Sequence, residues 1–207
     1  MPVSFCTQSR VPLFGWVRGL NGLLPHDASV IAAGEIDPKF DVRHSAKGKV
    51  YRYTIWNGTA RSALLWRRAW SLRWPLDLDA MRRAAAVLVG DHDFSSFRAS
   101  GCQSNTPTRR ITDIRIEGQP GGRVDIFVEG NAFLQHMVRI IVGTLVDVGR
   151  SWEDEAFTTR ALAARDRTKA GQTAPSRGLT LMRVLYETSP FTVGDLLTVG
   201  DLQHHPD

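Results

Sequence analysis

Apolar and polar positions along this chain follow two rhythms, one close to three and four residues and one of two, and the changes between them mark out its elements. Leu13, Trp16, Val17 and Leu20 recur at helical spacing. They predict a helix over 12–20, with Pro12 suited to its first turn and Asn21-Gly22 to its end. Val3, Ser4 and Phe5 read as the end of a strand, 30–33 as a second strand and 37–46 as a polar connection. The clearest strand is 50–56, bounded by Asn57-Gly58, with Tyr51, Tyr53 and Ile55 on one face and Val50, Arg52, Thr54 and Trp56 on the other. The tryptophan- and arginine-rich stretch 61–74 allows a short strand before Pro75. A helix follows over 78–89, with Asp77 as N-cap and Leu78, Met81, Ala85 and Leu88 along one side.

The second half continues the pattern. Residues 109–117 alternate as a strand, with Ile114 and Ile116 on one face and Ile111, Asp113 and Arg115 on the other. A Gly-Gln-Pro-Gly-Gly turn at 118–122 leads to Val124, Ile126 and Val128 on one side of the next strand, which predicts a hairpin. A long apolar helix is expected over 133–148, closed by Gly149, and a weaker one over 153–164. A polar loop, 166–176, precedes a last strand over 179–186. Strand, helix, hairpin, helix, helix, strand is the order of an α+β domain: an antiparallel sheet with helices on one face. The changes of composition suggest a first segment at 1–46, a main domain at 47–190 and an unassigned tail at 191–207.

The 207 residues are 43 % hydrophobic, enough for a packed core. Lys and Arg number 26 against 21 Asp and Glu, for a net charge of +5. Lys39, Lys47, Lys49 and Lys169 are the only lysines, so arginine dominates, and guanidinium forks suit phosphates and base edges. A biased genome composition would give the same excess. Cys6 and Cys102 form neither a metal pattern nor a redox pair by spacing. Neither a signal-like apolar run nor a membrane span is visible, so a reducing cytoplasm is the simple expectation.

Among candidate chemical groups, Arg139 stands out, because an arginine on a largely apolar helix needs an anionic partner or a route to water. Helical spacing would stack Gln135, His136, Arg139 and Gly143 along one side, with Gly143 allowing a backbone or ligand to come close. Tyr51 or Tyr53 could stack on a base, although core packing explains either. Arg109 and Arg110 make a small basic turn, and Arg67, Arg68 and Arg73 interleave with Trp66, Trp70 and Trp74. Asp91-His92-Asp93 matches no defined metal spacing, and His26, His44 and His136 lack the context of a hydrolytic triad. Asp125 alternates with inward residues and is expected to be exposed. No glycine-rich nucleotide-binding motif follows a strand.

Several blocks, in this order, resemble the tRNA pseudouridine synthase A family: Trp16-Val17-Arg18-Gly19-Leu20-Asn21 with Leu24-Pro25; Lys49-Val50-Tyr51-Arg52-Tyr53; Asp93-Phe94-Ser95-Ser96-Phe97-Arg98; Cys102-Gln103-Ser104 and Thr108-Arg109; Asn131 to Gly143; Ala164-Arg165-Asp166-Arg167; and Ala174-Pro175 with Gly178-Leu179. The resemblance implies a pseudouridine synthase fold of two α/β halves with ferredoxin-like antiparallel sheets. It implies a homodimer acting on tRNA, in the anticodon stem-loop, with no cofactor. Tyr51 corresponds to the tyrosine that packs on the target base, Arg139 to the arginine that pairs with the catalytic aspartate, and Leu179 to an apolar wall of the site. Arg109 and Arg98 correspond to phosphate or structural contacts. The family's nucleophilic aspartate lies in an Arg-Thr-Asp-Ala-Gly-Val-His segment that occurs nowhere in these 207 residues. The expectation is therefore an incomplete first half and a chain that is inactive by itself. Two alternatives stand beside it: a noncatalytic RNA-binding or assembly protein on the same scaffold, and a substitute nucleophile such as Asp37 or Asp41.

Overall fold

A computed structural model describes residues 1–187 and the pair Leu197–Thr198. The chain divides into two compact units, one over Lys47–Leu185 and the other over Pro2–Ala46 together with Tyr186–Asp207. Apart from Leu197–Thr198, the tail 191–207 lies outside the described residues.

In the unit built on Pro2–Ala46, helix α1 spans Leu13–Leu23 and buries Val17. It runs through Asn21-Gly22 instead of ending there. The Asn21 side chain is engaged elsewhere: its Nδ2 donates to the Val30 carbonyl at 2.9 Å and its Oδ1 accepts from the Val30 amide at 2.7 Å. An asparagine tied to a distant segment does not compete for the backbone of its own turn. Strand β1, Ala32–Ala33, pairs antiparallel with β8, Leu197–Thr198. Residues 3–5, expected to end a strand, are irregular, and Phe5 instead meets Trp16 edge-on at 5.2 Å. The Tyr186 hydroxyl donates to the Val42 carbonyl at 2.7 Å.

The larger unit carries strands β2 (Ala46–Trp56) and β3 (Trp70–Ser71), helix α2 (Leu78–Ala86), and strands β4 (Gly90–Asp93), β5 (Thr108–Gly118) and β6 (Arg123–Gly130). Helices α3 (Met137–Gly149) and α4 (Phe157–Ala164) and strand β7 (Leu179–Tyr186) complete it. The sheet order is β3-β2-β6-β5-β4, with β7 also paired to β2. The β2–β6, β6–β5 and β5–β4 pairs are antiparallel, while the short β2–β3 pair is parallel. The face carrying Tyr53, Ile55, Val124, Ile126 and Val128 is buried against Leu78, Met81 and Ala85 of α2, Ile140, Ile141 and Leu145 of α3, and Ala161 of α4. This is the expected mixed α/β architecture, a largely antiparallel sheet and packed helices.

Local departures have identifiable causes. Ile111 was expected opposite Ile114 and Ile116, yet it is fully buried in the same core as Ile116. A bulge between Ile111 and Asp113 leaves Thr112 unpaired: Ile111 faces Gly130 and Asp113 faces Glu129. One extra residue reverses the alternation. Helix α3 begins at Met137 rather than near 133, because His136 takes a left-handed conformation at φ 62° and breaks the turn before it. Helix α4 begins at Phe157, because the chain after α3 first folds back so that the Trp152 and Glu153 amides donate to the Asp147 carbonyl at 3.0 and 3.2 Å. Asp125 is only 17 % exposed, not open to solvent, since Arg123 pairs with it at 2.8 Å and the Thr54 hydroxyl donates to it at 2.7 Å.

Candidate active site

A cleft of about 230 Å³ in the larger unit is lined by Tyr51, residues 133–139 and Leu179. Three separate elements bring Tyr51, Arg139 and Leu179 together: the middle of β2, the first turn of α3 and the start of β7. Each is held by its neighbours. The Tyr51 ring stands edge-on to Phe133 at 5.1 Å with its plane turned 88°, a favourable aromatic arrangement. Partial burial raises the Tyr51 phenol above its ordinary pKa, so it stays neutral and donor-competent at physiological pH. Leu179 follows Gly178, whose bare Cα lets the chain lie directly on the Tyr53 ring; a β-carbon there would be 2.6 Å from the ring's Cζ. Tyr53 itself is buried, and its hydroxyl donates to the Pro175 carbonyl at 2.6 Å. Burial raises its pKa, and the positive charges of Arg139 and Arg177 oppose that rise.

Arg139 is half-buried, and its guanidinium is anchored at one end only. Nε donates to the Ala174 carbonyl at 2.6 Å, and the Ala174 amide donates back to the Arg139 carbonyl at 3.1 Å. No carboxylate lines the cleft, and no ion pair involves Arg139 among the described residues. Arg139 is thus the arginine of a lining that otherwise holds apolar side chains, the Tyr51 phenol, the Gln135 amide and the His136 ring. The loop supplying Ala174 lies flat against α3. Gly143 makes room for the Gln172 carbonyl, and the Gly171 amide donates to the buried Thr144 hydroxyl at 3.0 Å. That hydroxyl donates in turn to the Ile140 carbonyl at 2.9 Å. The close approach expected at Gly143 is made by the protein's own backbone.

Arg98 and Arg109 do not line the cleft. Arg98 donates to the Cys102 carbonyl at 2.6 Å, and Arg109 donates to Ser104 Oγ at 2.5 Å and to the Thr106 carbonyl at 2.9 Å. Both shape the 98–109 loop. That loop reaches the cleft at Gln135, whose carbonyl accepts from the Ala99 amide at 3.1 Å and whose amide donates to Cys102 Sγ at 3.5 Å. The amides of Gln135 and Ser104 pull the Cys102 thiol below its ordinary pKa. Gln135 and His136 precede α3, so they reach the cleft from a loop and not along a helical stripe. Asp91 of the Asp91-His92-Asp93 run pairs with Arg110, and Asp93 accepts from the Ser95 hydroxyl at 2.6 Å. Among the described residues no group of three or more His, Cys, Asp or Glu is arranged to hold a metal. No helix among them is long and apolar enough to cross a membrane.

With this geometry in place, comparison with known proteins decides the family. A family profile described as tRNA pseudouridine synthase matches residues 84–187. The tRNA pseudouridine synthase A of Myxococcus xanthus is 46 % identical over 186 residues, 90 % of this chain and 70 % of the relative. The chain belongs to the tRNA pseudouridine synthase family. The Moorella thermoacetica and Pelobacter propionicus tRNA pseudouridine synthases A are each 45 % identical, covering 89 % and 90 % of this chain and 74 % and 76 % of their own lengths. By family, then, this protein is an isomerase, and the profile match contains Arg98, Arg109, Arg139 and Leu179, while Tyr51 lies ahead of it. Sequence reasoning did not single out Phe133, which lines the cleft, or Thr144 and the Ala174 carbonyl, which hold the elements around it. Phe133 looked like helix core, and a carbonyl contact has no residue-type signature.

Proposed function

We propose that this cleft is the uridine site of a tRNA pseudouridine synthase acting on the anticodon stem-loop. The observation that carries the proposal is the convergence of Tyr51, Arg139 and Leu179 on one opening. In the reaction the bond between the ribose C1′ and uracil N1 breaks, the base turns, C1′ joins C5, and the C5 proton is lost to solvent while N1 is protonated. The nucleotide must leave its stack, at a cost of a few kcal/mol that contacts with the base offset. Tyr51 packs on the uracil, Leu179 closes the apolar side, and the terminal nitrogens of Arg139 orient a carboxylate and keep it ionised. Arg98 and Arg109 support the rim loop. No cofactor is required, and the protein works as a cytoplasmic homodimer.

That carboxylate is the catalytic group, and the 207 residues contain no Arg-Thr-Asp-Ala-Gly-Val-His segment to supply it. We therefore propose that these residues by themselves bind RNA without isomerising it. Asp37 and Asp41 are poor substitutes. Asp37 accepts from the Lys39 amide at 2.8 Å, and Asp41 from the Arg43 and His44 amides at 2.7 Å each. The His44 amide and ring and the Arg43 amide hold Asp41 at a pKa of about 2, and all of them engage its Oδ1. The test is release of tritium from tRNA labelled at uridine C5, run beside a binding titration at several salt concentrations. Salt-sensitive binding with no tritium release is expected. Tritium release by the purified 207-residue chain would overturn the assignment of inactivity, and absence of binding would remove RNA as the partner. A noncatalytic RNA-binding role is the second reading, favoured by the lack of a carboxylate in the cleft lining. Sedimentation velocity tests the homodimer.

A further inference from the structure

The far end of α3 carries a second feature unrelated to the cleft. Arg150 follows the helix directly, and its guanidinium lies between two indoles, 4.4 Å from the Trp74 ring centre and 3.3 Å from that of Trp152. Both rings are open to solvent, Trp74 by 57 % and Trp152 by 64 %. Each ring meets the guanidinium on a face. The backbone beneath them is fixed. Asn57 Nδ2 donates to the Trp74 carbonyl at 2.6 Å, and the Trp152 amide donates to the Asp147 carbonyl at 3.0 Å.

The local charge selects the partner. Glu153 and Asp154, beside Trp152, are both engaged by Arg160 at 3.3 and 2.7 Å. Arg150 and the exposed Arg73 next to Trp74 have no carboxylate within ion-pair distance among the described residues. Flat aromatic planes beside guanidinium groups that no ion pair engages, with Asp147 acting on Arg150 only at longer range, suit unpaired nucleobases and their phosphates. Resting on the RNA reading above, we infer that Trp74, Arg150 and Trp152 form a stacking platform for unpaired bases of the bound RNA, outside the uridine cleft. Arg150 caps the helix that carries Arg139, eleven residues further on, so the platform stands about 16 Å along the helix axis from the cleft. One rigid element thus sets the spacing between the reacting nucleotide and an anchoring one.

The test uses the full 207-residue chain and an anticodon stem-loop RNA with an unpaired loop, beside a fully paired duplex of the same composition. Trp74→Ala and Trp152→Ala are each expected to weaken stem-loop binding about tenfold, the size of one base-stacking contact, with a melting temperature lowered by only about 2–4 °C for the lost guanidinium contact. Trp152→Phe restores most of the loss because it keeps an aromatic plane. Stem-loop RNA quenches tryptophan fluorescence in the wild type, and the double alanine variant loses most of that quenching. The duplex binds more weakly and responds to neither substitution. Wild-type affinity in both alanine variants overturns the platform while leaving the RNA reading intact. Unchanged RNA affinity with an altered oligomeric state assigns the patch to a protein contact and also overturns it. A wild-type chain that binds no RNA removes both readings together.

Discussion

Replacing Gly143 with alanine separates local helix preference from the seating of the cleft. In a free helix this change stabilises by about 1 kcal/mol, since alanine loses less backbone freedom than glycine. Here the added carbon would lie 2.8 Å from the Gln172 carbonyl carbon and nearer still to its oxygen. A backbone group cannot rotate away as a side-chain tip can, so the loop around Gln172 must retreat from α3. Three hydrogen bonds depend on its present position: Gly171 N to Thr144 Oγ1 at 3.0 Å, Ala174 N to the Arg139 carbonyl at 3.1 Å, and Arg139 Nε to the Ala174 carbonyl at 2.6 Å. At about 1 kcal/mol net for each neutral bond and somewhat more for the guanidinium, their loss costs about 3–4 kcal/mol. Subtracting the helix gain leaves a destabilisation of about 2–3 kcal/mol. With a urea slope of about 2 kcal/mol/M, the unfolding midpoint falls by about 1 M or slightly more. Gly19→Ala in α1 is the control, because an added carbon there meets nothing within 4 Å, and its midpoint should rise. Hydrogen exchange at Arg139 Nε, followed by NMR, supplies a second readout and should accelerate only in the Gly143 variant. An upward midpoint shift for Gly143→Ala matching that of Gly19→Ala, with unchanged exchange, would refute the proposed seating.

Three other outcomes rest on single contacts. Arg139→Lys keeps the charge but loses the Nε donor and the fork, so thermal stability should drop by about 1–2 kcal/mol and RNA affinity should fall; an unchanged melting curve would mean that the Ala174 contact contributes nothing. Asp77→Ala removes the cap that accepts from the Asp79 and Ala80 amides at 3.0 and 2.9 Å, and calorimetry should register a loss of about 1 kcal/mol. Asp147 is half-buried, and desolvation raises its pKa above 3.8 against the lowering influence of Arg150 and of a hydrogen bond from Gln172. Its folded form holds a proton more tightly than its unfolded form, so the penalty is fully present at neutral pH and disappears as pH falls through the raised pKa. Asp147→Asn should therefore be more stable than wild type at pH 7, with the gain shrinking toward zero in acid; a pH-independent difference would rule out this titration as its source.

Much of the larger unit can be read from the alternation of its residues, because one face of each strand must meet the helices and the other need not. Val124, Ile126 and Val128 show this plainly, as do Leu78, Met81 and Ala85 behind the Asp77 cap. The same rule misplaces Ile111, because a bulge shifts the phase without changing composition: Thr112 is an ordinary strand residue whose extra place shows only against β6. It also extends α3 too far back. His136 belongs to a residue type that continues a helix as readily as it breaks one, and its left-handed backbone follows from the tertiary ties of the 131–136 loop, including Asn131 Oδ1 accepting from the Arg110 amide at 3.0 Å. In the smaller unit, Asn21-Gly22 ends a helix by local preference only when the asparagine is free, and here it is bonded to Val30.

The candidate site divides along a similar line. An arginine on an apolar helix reveals in sequence that it must be satisfied, and family resemblance attaches Tyr51 and Leu179 to it. Neither indicates that half of the satisfaction comes from a backbone carbonyl on a loop that α3 itself holds through Gly143 and Thr144. That division of labour has a mechanical consequence. Because Nε is fixed by Ala174, Arg139 keeps its place in the cleft lining whether or not a carboxylate is there to meet it. A guanidinium oriented only by its acidic partner would collapse onto other acceptors when that partner is missing, and the geometry would have to be rebuilt each time the partner arrived. One held from behind loses little further freedom on pairing, so more of the pairing energy remains to orient the carboxylate against the nucleotide. The Thr144–Gly171 hydrogen bond and the space at Gly143 belong, on this argument, to the same apparatus as Arg139, although neither lines the cleft.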